Sequence, residues 1–210
     1  MFRFAGMFKA AGSALSPALC GNAVVPMWKP EWTAKFDSLP ENFQDTVTAS
    51  FAGHDHTDDY RLIGTSGARG MFVLIDPPVS PIFGQNPSFR VVTFRKNGNL
   101  VDQATYYLAN LPVATSTQKG QWKQEYTFTQ QWHVPQLDAP SLQILYNRIR
   151  ENSEVRTQWL KLLNVSSSTI KVPLIAAPAL YCASGSLDPA SYRACYCPVP
   201  DGGSIPAPKP

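Results

Sequence analysis

Strand-like and helix-like segments are segregated along this chain, and that segregation limits its fold more than any other feature. Thr46 to Phe51, Met71 to Ile75, Phe89 to Phe94 and Leu100 to Leu108 are β-prone runs, rich in β-branched and aromatic residues and bounded by loop text. The last two flank Arg95-Lys96-Asn97-Gly98-Asn99, whose Asn-Gly pair predicts a hairpin. Asp76-Pro77-Pro78 and the stretch from Pro81 to Pro87 are expected loops. After Leu111 the strands are expected to stop. Asp138 predicts the cap of a helix from Ala139, with Leu142, Leu145, Tyr146 and Ile149 on one stripe. Ser153 predicts the cap of a second, carrying Val155, Trp159, Leu162 and Leu163. A shorter helix opens earlier at Pro30 and runs through Trp32, Phe36 and Leu39, as suits proline in a first helical turn. Within the broad α/β class this is an α+β layout, a β-rich segment followed by a helical appendage.

The 210 residues, 44% hydrophobic and 16% charged, suffice for one globular domain with a core, or one domain and a small appendage. The 18 Lys and Arg against 15 Asp and Glu leave a net charge of only +3, and the cations are scattered. Arg148, Arg150, Arg156 and Lys161 share a helical stretch, but Glu151 and Glu154 interleave with them. That pattern is a solvated face, and no nucleic-acid partner is expected. No run of about 18 apolar residues occurs, so no transmembrane helix is expected. Residues 1–14 hold Arg3 and a mildly apolar run that Lys9 interrupts, a poor signal peptide. Of the four cysteines, Cys20 stands alone, while Cys182, Cys195 and Cys197 lie near the C-terminus with no C-x-x-C pair. A structural zinc site is therefore disfavoured, and a local disulfide, with the oxidising compartment it implies, is the better reading.

Gly53-His54-Asp55-His56 falls where a β-prone run ends. Two histidines one residue apart can both reach a metal from a tight turn, and the glycine before them permits that turn. Neutral imidazole suits zinc, manganese or iron. By itself the motif also fits a loop with two exposed histidines. Asp55, Asp58 and Asp59 have the chemistry to tune a metal site, but a solvated loop is the expectation, and His133 is expected at the surface or in packing. Asn86 and Arg90 are expected to fix the loop to the strand. Trp122, Tyr126, Trp132 and Trp159 are expected as core or subdomain contacts.

The text around the motif is more specific. Phe51-Ala52-Gly53-His54-Asp55-His56-Thr57-Asp58-Asp59-Tyr60 resembles the last metal-binding motif of calcineurin-like metallophosphoesterases, and within them the acid-sphingomyelinase-like branch. Pro78 to Val91, with Asn86-Pro87-Ser88-Phe89-Arg90-Val91, is similar to that branch's segment ending Asn-Pro-Gly-Tyr-Arg-Val. Asp102 and Thr105-Tyr106-Tyr107-Leu108 match the following strand, and Trp122 and Tyr126 match a Trp-Lys-x-x-Tyr pattern. The twelve residues between Cys182 and Cys195 match the spacing of a disulfide in the family's C-terminal helical subdomain. The resemblance covers roughly residues 28 to 197.

The resemblance implies the C-terminal part of a metallophosphoesterase β-sandwich flanked by helices, then a small helical subdomain. Residues 1–27 would be an unassigned leader, 28–111 the C-terminal part of the catalytic domain, 112–197 the subdomain, and 198–210 a flexible Pro-rich tail. It also implies hydrolysis of a phosphodiester, a sphingomyelin-like lipid or a nucleotide, at two divalent metal ions, usually zinc. His54 would ligate one metal and His56 the other. The Asp-x-His, Gly-Asp and Asn-His motifs that complete such a site have no counterpart before His54, and no catalytic acid is assigned here. The chain is therefore expected to hold a partial site and to be inactive alone. An upstream-half partner chain is one way to complete it; a non-catalytic binding or structural module is the alternative. A secreted, periplasmic or lysosome-like location follows from the resemblance, as does a Cys182–Cys195 disulfide. Cys197 is expected to stay free or to pair with Cys20.

Overall fold

The computed structural model describes residues 8–10, 24–26, 29–43, 46–47, 49–53, 55–64, 70–170, 172–185 and 187–196. Strands β1 (Phe8–Ala10) and β2 (Val24–Pro26) pair antiparallel. Helices α1 (Pro30–Asp37) and α2 (Leu39–Phe43) follow, α1 with its proline in the first turn as the sequence predicts. Strands β3 (Ala49–Ala52), β4 (Asp59–Ile63) and β5 (Met71–Ile75) form a sheet in the order β3-β5-β4. In it β3 runs parallel to β5, and β4 antiparallel. A second, antiparallel sheet holds β6 (Ser88–Phe94), β7 (Leu100–Leu108) and β8 (Trp122–Thr127), with α3 (Leu111–Thr117) between β7 and β8. The chain continues through α4 (Phe128–Trp132), α5 (Ala139–Glu151), α6 (Ser153–Leu163), α7 (Ala177–Gly185) and α8 (Pro189–Tyr196). The mixed α and β architecture is the one the sequence implies.

The unbroken apolar run of β5 suits a strand covered on both faces, and all five of its residues are buried. Phe72 and Leu74, with Tyr60 and Leu62 of β4, pack toward Leu142, Leu145 and Ile149 of α5, Trp159 of α6 and Tyr126 of β8. Met71 and Val73, with Ile63 and Ala52, face Cys182, Leu187 and Tyr192, with Phe36 and Leu39 at the margin. The two sheets and α5–α6 thus share one apolar cluster, and α7 and α8 close the other face of the first sheet. The hairpin between β6 and β7 forms where Asn97-Gly98 predicts it: Gly98 adopts φ +86, and the Arg95 N–H donates to the Asn99 carbonyl at 2.8 Å.

Three expectations need correction. Strands do not stop after Leu111, because β8 pairs with β7. Its residues Trp-Lys-Gln-Glu-Tyr-Thr bury only Tyr126, so pairing, not apolar alternation, makes it a strand. The α6 cap is Asn152, not Ser153: its Oδ1 accepts the N–H groups of Glu154 and Val155 at 2.8 and 3.1 Å. One residue separates α5 from α6, and Asn152 serves both ends with an extended backbone. Finally, Asp58 and Asp59 are not in a solvated loop; both are buried, Asp59 as the first residue of β4. At α5 the expected Asp138 cap is present, accepting the Ser141 N–H at 2.8 Å. Arg148 and Arg156 use their charges to bond carbonyls of Trp132 and Ile149.

Cys182 of α7 and Cys195 of α8 form a disulfide with Cα atoms 5.7 Å apart. Cys20 and Cys197 lie outside the described residues. A Cβ at Gly185 would come within 2.4 Å of the Tyr146 ring, so the last turn of α7 approaches α5 only because this residue is glycine. The disulfide closes a 13-residue separation, which by loop entropy contributes about 3 kcal/mol. Cys182→Ala should lower the stability read from urea denaturation by about that amount, and reductant should then have little further effect on it.

Glu125 of β8 is a second consequence of that strand's placement. Both of its carboxylate oxygens are buried. Burial raises its pKa to about 8; the Ser166 hydroxyl and Lys161 pull it back in part, while the charge on Asp58 adds to the rise. In the unfolded chain the same group titrates near ~4.3. The folded state thus keeps a proton that the unfolded chain gives up, and stability falls as pH rises from the unfolded value through about 8. Glu125→Gln should stabilise the protein by on the order of 1–3 kcal/mol at pH 8 and leave it unchanged near pH 4, as measured by urea denaturation at the two pH values.

Candidate functional site

Because β3 and β5 are parallel, their carboxyl ends share one edge of the sheet. The backbone N–H of Asp76 donates to the Ala52 carbonyl at 2.6 Å and ties those ends together. The Gly53–His56 turn leaves β3 at this edge, and the loop from Asp76 to Pro87 leaves β5 beside it. Open α/β sheets offer ligand sites at such carboxyl ends.

His54 lies outside the described residues. His56 adopts a left-handed backbone, φ +57, uncommon for a residue with a Cβ. Its ring meets Phe83 edge-on with centroids 4.9 Å apart. Its Nδ1 is buried and has no hydrogen-bond partner among the described residues. Leaving such a nitrogen unpaired costs about 1–3 kcal/mol, and an imidazole nitrogen in that position fits a metal ligand. The fit extends to this one residue: among the described residues no group of three or more His, Cys, Asp or Glu is placed to hold a metal ion.

A buried polar network fixes the turn. One oxygen of Asp58 accepts from Arg90 of β6 and the other from the Thr105 hydroxyl of β7 at 2.6 Å. The Asp58 N–H donates to the Leu163 carbonyl at the end of α6, 3.0 Å away. Arg90 also donates to Asp76 at 2.9 Å and to the Ile75 carbonyl at 3.1 Å. Burial alone would lower the pKa of Arg90, but Asp58, Tyr126 and Asp76 outweigh it and raise it. Burial also raises the pKa of Asp76, against the pull of Arg90. On the opposite face of β4, Arg61 pairs with Asp59 and donates to the Tyr60 carbonyl at 2.7 Å, while Ser184 of α7 donates to Asp59. Asp55 stands 4.0 Å from Arg61.

Asn86 and Arg90 fix the loop as expected, but they reach further than the adjacent strand. Asn86 donates to the Val165 carbonyl at 2.9 Å, beyond α6. His133, exposed at the end of α4 with φ +51, belongs to another element. The roles of Asp58, Asp76 and Thr105 were not legible; the one available signal was strand parity, which puts Arg90 on the same face of β6 as buried Ser88.

The family model for the acid sphingomyelin phosphodiesterase C-terminal region matches residues 73–198. Sphingomyelin phosphodiesterase B of Dictyostelium discoideum is 29% identical over 59% of this chain and 21% of its own length. Acid sphingomyelinase-like phosphodiesterase 3b of Homo sapiens is 26% identical over 77% of this chain and 38% of its own. A cyclic GMP-AMP phosphodiesterase of Rattus norvegicus is 26% identical over 56% and 28%. The chain therefore spans well under half the length of these relatives.

Removing one member of a buried ion pair strands the other, at a cost of about 3–5 kcal/mol. Asp58→Ala should destabilise by that order. Thr105→Val, which removes one hydrogen bond and keeps the shape, should cost about 1–2 kcal/mol. Urea denaturation of the two variants measures both.

Proposed function

Since the chain belongs to the acid sphingomyelin phosphodiesterase C-terminal region family, we propose that it supplies one side of a metal-dependent phosphodiesterase site, with His54 and His56 as terminal ligands. The observation that carries this reading is the buried, unpartnered Nδ1 of His56 at the shared carboxyl end of β3 and β5. Divalent metals, zinc by the family resemblance, would activate a water and stabilise charge on the phosphoryl oxygens when bound. The chain's own task is to hold its imidazoles still. Asp58, clamped by Arg90 and Thr105, anchors the turn, and Phe83 limits where the His56 ring can swing. The remaining ligands and the acid for the leaving group come from outside these 210 residues, from upstream sequence or from a separate chain. The substrate is a phosphodiester; the relatives' names include both sphingomyelin and a cyclic dinucleotide. A secreted, periplasmic or lysosome-like location is proposed from the Cys182–Cys195 disulfide. Among the described residues no helix is long and apolar enough to cross a membrane.

The isolated chain should bind zinc weakly and should not hydrolyse bis(p-nitrophenyl) phosphate faster than free metal does. Co-expression with a polypeptide carrying Asp-x-His, Gly-Asp and Asn-His motifs should restore turnover. In that assembly His54→Ala and His56→Ala should each reduce it at least a hundredfold, and His133→Ala should not. Metal-dependent turnover by the single chain, lost in His56→Ala, would overturn the partial-site reading. A stable assembly that holds metal and stays inactive would favour a non-catalytic scaffold.

A further inference from the structure

The turn that carries His56 is held in a costly shape. His56 has φ +57, and a residue with a Cβ keeps a left-handed backbone only where its surroundings enforce it. One anchor lies two residues on, where Asp58 is clamped by Arg90 and the Thr105 hydroxyl. An anchor on one side alone leaves the other side of the turn free to swing, so the residue before His56 matters as much. That residue is Asp55, and it faces a second buried guanidinium, that of Arg61.

Arg61 is fixed before it meets Asp55. Its side chain is only 7% exposed. One terminal nitrogen, Nη1, donates to the Asp59 carboxylate and, at 2.7 Å, to the Tyr60 carbonyl. Asp59 is itself buried and accepts the Ser184 hydroxyl of α7 at 3.3 Å. The other terminal nitrogen, Nη2, lies 4.0 Å from the Asp55 carboxylate, whose side chain is 24% exposed. With one partner buried, this attraction is screened less than that of an exposed pair. A guanidinium this deep is not offered to a phosphate in solvent, so its influence on the site passes through Asp55.

We propose that Arg61 is a positioning residue of the histidine turn. It draws Asp55 toward β4 on one side of His56 while Arg90 and Thr105 hold Asp58 on the other. The two anchors together keep His56 left-handed, with its ring against Phe83. The value of this hold for metal binding rests on the phosphodiesterase reading; the hold itself belongs to the metal-free chain.

The test is nuclear magnetic resonance of the full chain without metal, on the wild type, Asp55→Asn and Arg61→Lys. Asp55→Asn removes one charge and leaves the Arg61–Asp59 pair in place; Arg61→Lys keeps the charge and loses the planar fork. The wild type should show a nuclear Overhauser contact between the His56 and Phe83 rings, whose centroids are 4.9 Å apart. In Asp55→Asn that contact should be lost and the His56 amide should exchange with solvent at least about tenfold faster, as expected when a strained backbone loses one anchor. The urea midpoint should stay near that of the wild type, because the Asp55 side chain is partly exposed. Arg61→Lys should lose the same contact, and the double variant should be no worse than either single one. If Arg61→Lys fails to fold for want of its Asp59 pair, Asp55→Asn carries the test alone. Absence of the ring contact in the wild type, or its retention in Asp55→Asn, would overturn the proposal. A urea midpoint that falls along with the contact would overturn it too, as the mark of general stability. In the co-expressed assembly, Asp55→Asn should weaken zinc affinity roughly tenfold or more. If the ring contact is lost as expected but no assembly takes up zinc, the metal reading fails and the positioning role stands. Zinc binding that depends on His56 yet ignores Asp55→Asn would sink the positioning role and leave the metal reading in place.

Discussion

The contact between Asp58 and Arg90 joins separate parts of the chain at one buried point. Asp58 belongs to the turn before β4, Arg90 to β6, and Thr105, which shares Asp58, to β7. Through Asp76 and the Ile75 carbonyl the same guanidinium also holds the end of β5. The two sheets, which share no strand pairing among the described residues, are thereby linked at the edge where the histidine turn lies. Buried charges of this kind contribute little net stability compared with an apolar replacement, but they tolerate few alternative geometries. Restricted geometry is what the proposed role of the histidine turn would require.

The packing around this network follows the same economy of position. The first sheet is covered on one face by α5, α6 and the second sheet, and on the other by α7 and α8 with help from α1 and α2. A disulfide holds α7 to α8, and a glycine lets α7 touch α5. The outer face of the second sheet is different. Phe89 stacks on Tyr106 at 5.3 Å and tilts against Trp122 at 5.1 Å, so its exposed aromatics cover one another.

The candidate site lies where two strands end together. The carboxyl ends of β3 and β5 release two loops, one bearing His56 and one bearing Phe83, and the two side chains meet. The Ser167 and Thr169 hydroxyls staple the second loop through the Gly84 carbonyl.

The sequence by itself determined the elements whose causes are local. The apolar run of β5, the Asn97-Gly98 hairpin, Pro30 at the head of α1 and the Asp138 cap with its Leu142–Ile149 stripe are all readable because neighbours in sequence supply the reason. The Cys182–Cys195 pairing was readable too, through its likeness to a family. Tertiary structure alone decided that Asp58 is buried, because its partners lie 32 and 47 residues away. It also decided that Trp122–Thr127 is a strand, since β7 offers the hydrogen bonds that a polar sequence does not advertise, and that α7, poor in amphipathic signal, folds as a helix against the first sheet. Periodicity and capping act over a few residues; burial and long-range pairing act between segments that sequence order leaves apart.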